Sequence, residues 1–264
     1  RRVLQVPDIP AAVREAFVQL RSGRPRPVEL EMPPETMEEE GEAELLAPAE
    51  VARARASAAD VSRAAEILLA AKSPIIYAGG GVNLSGAHEA LHAVAEYLQA
   101  GVACTAEGKG AVSDHSDLSL GAAFWRESPL RAAIHAADVV LAVGSRLALV
   151  TFAPETRIIQ IDADPEEIGR SHKTTLGLVG DARATLEALL EKLRAGAPAR
   201  ASRKAERETL RAELAAQMTQ EPQVSILRSL RAGCPEDTIL VAGMTQIGYY
   251  SRPLWPTYGP RTYL

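Results

Sequence analysis

From residue 57 onward the hydrophobic positions switch repeatedly between a helical period and short unbroken apolar runs. Val61, Ala65, Leu68 and Leu69 share one helical face behind a capping-box start at Ser57 and Asp60. The run 75–78 (I-I-Y-A) follows, with a β-branched pair and an aromatic, as a buried strand has. Ser85 then opens a second helical pattern, with Ala87, Leu91, Val94, Ala95 and Leu98 inward, before a strand at 102–105. Ser128-Pro129 starts a helix over 130–136, and a wholly apolar strand occupies 139–143. A further strand at 157–161 ends on Asp162, and Asp164 caps a short helix that begins at Pro165. The last strand, 176–179, leads to Asp181, which caps a helix with Leu186, Leu189, Leu190 and Leu193 inward. Apolar strands that alternate with helices predict an α/β fold. The expected architecture is a Rossmann-like, doubly wound parallel sheet of about six strands with helices on both faces.

The flanks follow other patterns. Residues 1–35 hold one helix, with Asp8 as cap and Val13, Phe17 and Leu20 at helical spacing, and one strand at 28–31. Two such elements cannot enclose a core. Residues 36–56 are acidic, then rich in alanine, with no sustained period, and read as a linker whose Glu38–Glu40 run is a solvated surface. The stretch 106–127 is long and irregular, a length that inside a compact domain points to function or disorder. Residues 197–221 predict an exposed helical connector. Within 222–264 a helix at 222–231, a strand at 238–242 and a loop at 243–246 are expected, with no further element after them. The central domain is thus placed at 57–196.

Composition narrows the function classes. Of 264 residues 47% are apolar, enough for a substantial core, but only 4% are aromatic, so alanine, leucine and valine carry the packing. The net charge of −5, from 29 basic and 34 acidic residues evenly mixed, gives no electrostatic case for nucleic acid. No apolar run is long enough to span a bilayer, and no secretory leader opens the chain, so a cytoplasmic location is expected. Cys104 and Cys234 lack metal-ligand spacing and read as small hydrophobes in a reducing compartment. The chain opens at Arg1 without a methionine and reads as a piece of something longer.

Ligands of such sheets bind beyond the carboxyl ends of the strands. Gly79, Gly80 and Gly81, Thr105, Gly144 to Arg146, Asp162 and Asp181 all fall at predicted strand ends. A strand that runs through glycines into a helix lets amides meet an anion, although a plain strand-to-helix turn uses the same residues. Asp162 suits a ribose diol, and Arg146 suits either a phosphate or a surface ion pair. Lys109 between two glycines reads as an exposed loop lysine. Trp125, beside Phe124, fits either a flat ligand ring or core filling. His88 and His92 stand four apart on one helix but without a metal motif, and no nucleophile–base set emerges.

The ordered segments P-I-I-Y-A-G-G-G-V, T-A-E-G-K-G-A, D-H-S-D-L-S-L-G, A-D-V-V-L-A-V-G-S-R, I-I-Q-I-D-A-D-P-E-E-I-G-R and V-G-D-A resemble one family. They are similar to the central domain of thiamine diphosphate-dependent enzymes of the acetolactate synthase and glyoxylate carboligase type. A-V-R-E-A-F through E-L-E-M-P resembles the end of that family's pyrimidine-binding domain, and D-T-I-L-V-A-G-M-T-Q-I the start of its diphosphate-binding domain. The resemblance implies a central domain that in several members holds FAD or ADP in a structural role. Those contacts would fall on Gly79, Gly80, Gly81, Thr105, Gly144, Arg146, Asp162 and Asp181. Thr245 and Gln246 match the place where the last domain first meets the cofactor diphosphate.

The resemblance also implies an intact enzyme with thiamine diphosphate and Mg, a small 2-oxo acid substrate and a homo-oligomeric state. The family's activating glutamate and its magnesium motif match no part of this sequence, so this chain alone is expected to be inactive and to lack a complete active site. Acetolactate synthases carry Asp-Asp-Arg where Ala148-Leu149-Val150 stand here, which sets this sequence apart from them. Two other readings use the same residues: an independent FAD or NAD module, and an empty structural domain.

Overall fold

The computed structural model describes residues 1–264 and divides into two compact units, Arg1–Ala54 and Arg55–Leu264. In the first unit, helix α1 (Ile9–Arg21) follows a short 3₁₀ turn, and α2 (Pro34–Glu38) is a single turn. Asp8 precedes α1 but makes no side-chain cap, and the expected strand at 28–31 reduces to one bridge between Arg2 and Glu31. A strand needs a partner ladder to persist, and here the ladder is two bonds, Val3 N to Glu31 O and Glu31 N to Arg1 O. On α1 the smaller Ala12 and Ala16 are buried, whereas Val13 and Phe17 are exposed, the reverse of the expected inward face.

In the second unit α3 (Ala58–Ala70) starts where Ser57 Oγ accepts the Asp60 amide at 3.1 Å. Strand β1 (Pro74–Ala78), helix α4 (Gly80–Ser85), helix α5 (His88–Leu98) and strand β2 (Gly101–Cys104) follow. Ser85 closes α4 rather than capping α5, because Gly86 at φ +65° takes the left-handed turn that ends the short helix. Strand β3 (Ser119–Ala122) lies inside the stretch expected to be irregular, and α6 (Pro129–Ala136), β4 (Val139–Val143), β5 (Arg157–Asp162) and β6 (Leu176–Val179) complete the sheet. Helices α7 (Ala182–Gly196), α8 (Lys204–Gln217), α9 (Gln223–Gly233) and α10 (Gln246–Leu254) end the chain. Helix α10 occupies a region where no element was expected, and the strand at 238–242 is present only as the bridge Leu240–Tyr263.

The sheet has six strands in the order β3-β2-β1-β4-β5-β6, and every neighbouring pair is parallel. Strand residues alternate between two cores, as the pleat requires. Ile76, Ala78, Leu141 and Ile159 face the cluster built with α3, α5 and α7. Ile75, Tyr77, Val140 and Ile158 face the opposite cluster, where α6 contributes Leu130 and Ile134 and α8 adds Leu210 and Leu214. Helices therefore cover both faces, as the doubly wound reading requires.

Helix α8 is not a loose connector. Arg207, 6% exposed, donates to Asp117 and to the Gln99 side chain, and Arg211 donates to the carbonyls of Asp114 and Ser116. These bonds clamp α8 against the stretch that leads into β3.

Candidate functional site at the carboxyl edge of the sheet

The strand order reverses direction of progress between β1 and β4, which makes that pair the switch point of the sheet. Eight of the ten expected site residues stand at the carboxyl ends of its strands. Gly79 follows β1, and its amide donates to Val143 O at 2.9 Å; the Gly81 amide donates to Gly144 O at 3.1 Å. Thr105 follows β2, donates its amide to Ala78 O, and accepts the Gly108 amide on its hydroxyl. Gly144 follows β4, Asp162 ends β5, and Asp181 lies two residues beyond β6.

Packing explains much of the glycine run. A Cβ on Gly79 would sit 2.3 Å from Gly144 O, and one on Gly81 would sit 2.5 Å from Gly144 Cα. The β1 and β4 ends thus touch backbone to backbone, and two of the three glycine amides are already spent on the carbonyls of Val143 and Gly144. Helix α4, only six residues long, offers little dipole to an anion.

The β4 and β5 ends are more open to a ligand. Arg146 is exposed between Gly144 (φ +57°) and Leu147 (φ +57°), two residues in the left-handed region. Leu147 is nevertheless 2% exposed, so tertiary contacts hold a conformation a leucine rarely adopts. Asp162 accepts the Asp164 amide at 3.0 Å, Asp164 caps the following 3₁₀ turn through the Glu166 amide, and Asp181 caps α7 through the Ala184 amide. An exposed guanidinium and a strand-end carboxylate on adjacent strands match the phosphate and diol of a nucleotide in charge and donor type.

Thr245 and Gln246 stand on another element. Thr245 caps α10 through the Gly248 amide and Gln246 is its first residue; both are exposed. Lys109, expected on the surface, is 3% exposed: its Nζ donates to Trp255 O at 2.7 Å and lies 5.1 Å from the Tyr263 ring centre. The long stretch around it serves as a dock. Asp114 exchanges backbone and side-chain bonds with Thr257, and Gly110 lies so near Gly259 O that a Cβ would be 2.4 Å away.

Phe124 and Trp125 pack with Tyr249, Tyr250 and Arg252 as a half-buried cluster. His88 contacts Asn83 at 2.9 Å, and burial together with the positive Arg261 lowers its pKa below the usual imidazole range. Cys104 is buried, and that burial pushes its thiol up to about 12.

One residue of the site was not foreseen. Gln160 on β5 is 1% exposed, and its side-chain amide reaches Ser145 O at 3.3 Å, Glu167 O at 2.9 Å and the Gly169 amide at 3.0 Å. Its one visible sign in the sequence is a polar residue inside the otherwise apolar I-I-Q-I run.

Residues 61–189 match the family described as thiamine pyrophosphate enzyme, central domain. That stretch, which carries all six strands of the sheet, is a domain of this family. It is 33% identical over 201 residues to the acetolactate synthase large subunit of Corynebacterium glutamicum, covering 71% of this chain and 32% of the relative. It is 33% identical over 276 residues to a Pseudomonas aeruginosa protein described as a probable 2-ketoarginine decarboxylase, covering 97% of this chain and 47% of the relative. Its fold matches a Mycobacterium smegmatis crystal structure described as a candidate thiamin diphosphate-dependent enzyme. That match has a TM-score of 0.73 and 22% identity, and covers all of this chain and 52% of the other. The chain therefore spans about a third to a half of the length of these relatives. No helix is long and apolar enough to cross a membrane.

Proposed function

We propose that this chain supplies the central scaffold of a thiamine diphosphate-dependent enzyme that decarboxylates or ligates small 2-oxo acids, and that the carboxyl edge of its sheet takes an adenine nucleotide, ADP or FAD. The observation that carries the reading is the placement of Arg146, three residues beyond β4, and Asp162, the last residue of β5, at neighbouring strand ends beside the switch point of a sheet in this family. The relative that covers 97% of the chain is described as a probable 2-ketoarginine decarboxylase, which favours a 2-oxo acid with a basic side chain over the acetolactate synthase reaction. In the intact enzyme the bound thiamine diphosphate, held with Mg, provides the electron sink for loss of carbon dioxide. This chain contributes Thr245 and Gln246 to the diphosphate, and alone it is inactive. We place the intact enzyme in the cytoplasm as a homo-oligomer.

Thermal melting with ADP, FAD, NAD, or thiamine diphosphate plus magnesium tests the assignment. A nucleotide at a hundred times its Kd stabilises by about 2.7 kcal/mol, a rise of roughly 5–10 °C for a chain of this size. ADP or FAD is expected to give that rise and thiamine diphosphate is not. A strong saturable response to thiamine diphosphate alone overturns the inactive-scaffold reading, and silence from every nucleotide overturns the nucleotide site. The second reading, an empty scaffold, is favoured by one observation: Gly79 and Gly81 are fully accounted for by close packing on Gly144.

A further inference from the structure

The loop after β4 is held from several sides. Gln160 donates to Ser145 O and to Glu167 O through one side-chain nitrogen, and its side-chain oxygen accepts the Gly169 amide. Half-buried His172 contacts Leu147 O at 3.2 Å through its ring nitrogen, and the guanidinium of Arg131 donates to Leu149 O at 2.6 Å. Between these anchors the backbone turns left-handed at Gly144 and again at Leu147, and Arg146 is left exposed. A buried amide that satisfies three backbone groups from two loops makes those loops one mechanical body, since each lost bond leaves a buried polar group without a partner. Asp162 lies on the same strand, two residues from Gln160, at the start of the second of those loops.

We infer that Gln160 is a positioning residue for the nucleotide site: its buried amide locks loop 144–147 to turn 164–169, so that Arg146 and Asp162 meet a ligand in a preset geometry. The inference rests on the nucleotide reading above, and it deepens that reading by naming the residue that pre-organises the contacts. The gain expected from such locking is in affinity, because the ordering cost is met before the ligand arrives.

Amide hydrogen exchange and ADP titration of Gln160→Leu and His172→Ala, with Arg203→Ala at the opposite edge of the sheet as control, test it. In Gln160→Leu, exchange at residues 144–149 and 167–170 is expected to rise at least tenfold while β1 and β2 stay protected. ADP affinity, measured below the variant's own melting transition, is expected to fall about tenfold. His172→Ala, which removes a half-buried side chain, is expected to loosen 145–149 and weaken ADP about threefold, so the test survives if Gln160→Leu does not fold. The control is expected to change neither quantity.

Unchanged loop exchange, exchange that rises equally across the sheet, or loosened loops with undiminished ADP affinity each overturn the role given to Gln160 while the nucleotide site stands. Absence of both ADP and FAD binding in the unsubstituted protein overturns the nucleotide reading and the role together.

Discussion

At the scale of single residues, close packing and burial decide what each side chain can do. Gly81 cannot take a methyl group, because its Cβ would lie 2.5 Å from the Gly144 backbone. Gly81→Ala is expected to destabilise the chain by about 2 kcal/mol, seen as a lower urea midpoint. Cys104 is sealed in the core with its thiol held up near 12, and Cys234 is only half-buried. At pH 8 a thiol reagent is therefore expected to label Cys234 in the folded protein and both cysteines once it is unfolded.

Tyr77 is likewise pushed up to about 12 by burial, against an ordinary value of 10.0. Both groups favour their protonated forms in the fold. Their stabilisation is complete below the ordinary thiol and phenol values and is lost as pH rises toward 12. Alkaline titration followed by circular dichroism is expected to show cooperative unfolding in that window. At the candidate site, Arg146→Ala and Asp162→Asn are each expected to weaken ADP at least tenfold by calorimetry.

At the scale of elements, helix-and-strand periodicity made most of the sheet legible. The five apolar runs became five strands within a residue or two, and Ser57, Ser128 and Asp181 cap as their positions imply. What stayed hidden depended on partners distant in the chain. Strand β3 reads S-L-G-A, with no β-branched residue and a polar stretch before it, and it forms where β2 offers a free edge. Gln160 acquires its meaning only when two loops fold over it, and Lys109 only when Trp255 arrives. Helix α8 is mostly exposed, as its polar composition implies, and what the sequence does not announce is the buried Arg207 that anchors it to Asp117 and Gln99.

The Arg207 bond holds the Asp117 carboxyl below the ordinary aspartate range, which favours the folded state above that range and is lost as pH falls. Arg207→Met is expected to cost about 2 kcal/mol, less than a fully buried pair because Asp117 is one-third exposed, and to return Asp117 toward its usual titration by NMR.

At the scale of the whole second unit, the C-terminal segment is tied to the sheet by a few buried polar contacts and by the half-buried cluster of Phe124 and Trp125 with Tyr249 and Tyr250. Lys109, 3% exposed, makes one of the polar ones. Lys109→Met keeps the stem but removes the bond to Trp255 O, and a charged hydrogen bond of this kind is worth roughly 2 kcal/mol. Limited proteolysis is expected to clip 236–264 sooner in that variant while strand protection is retained.

The all-parallel order has a consequence for synthesis. Strands β1 and β2 can zip together once Cys104 has left the ribosome, but the other flank of β1 is reserved for β4, whose last residue is Val143. For about 40 residues of translation, a few seconds at roughly 5–20 residues per second, the future centre of the sheet is an open apolar edge. A nascent chain stalled in that interval is the form in which chaperone capture should be greatest.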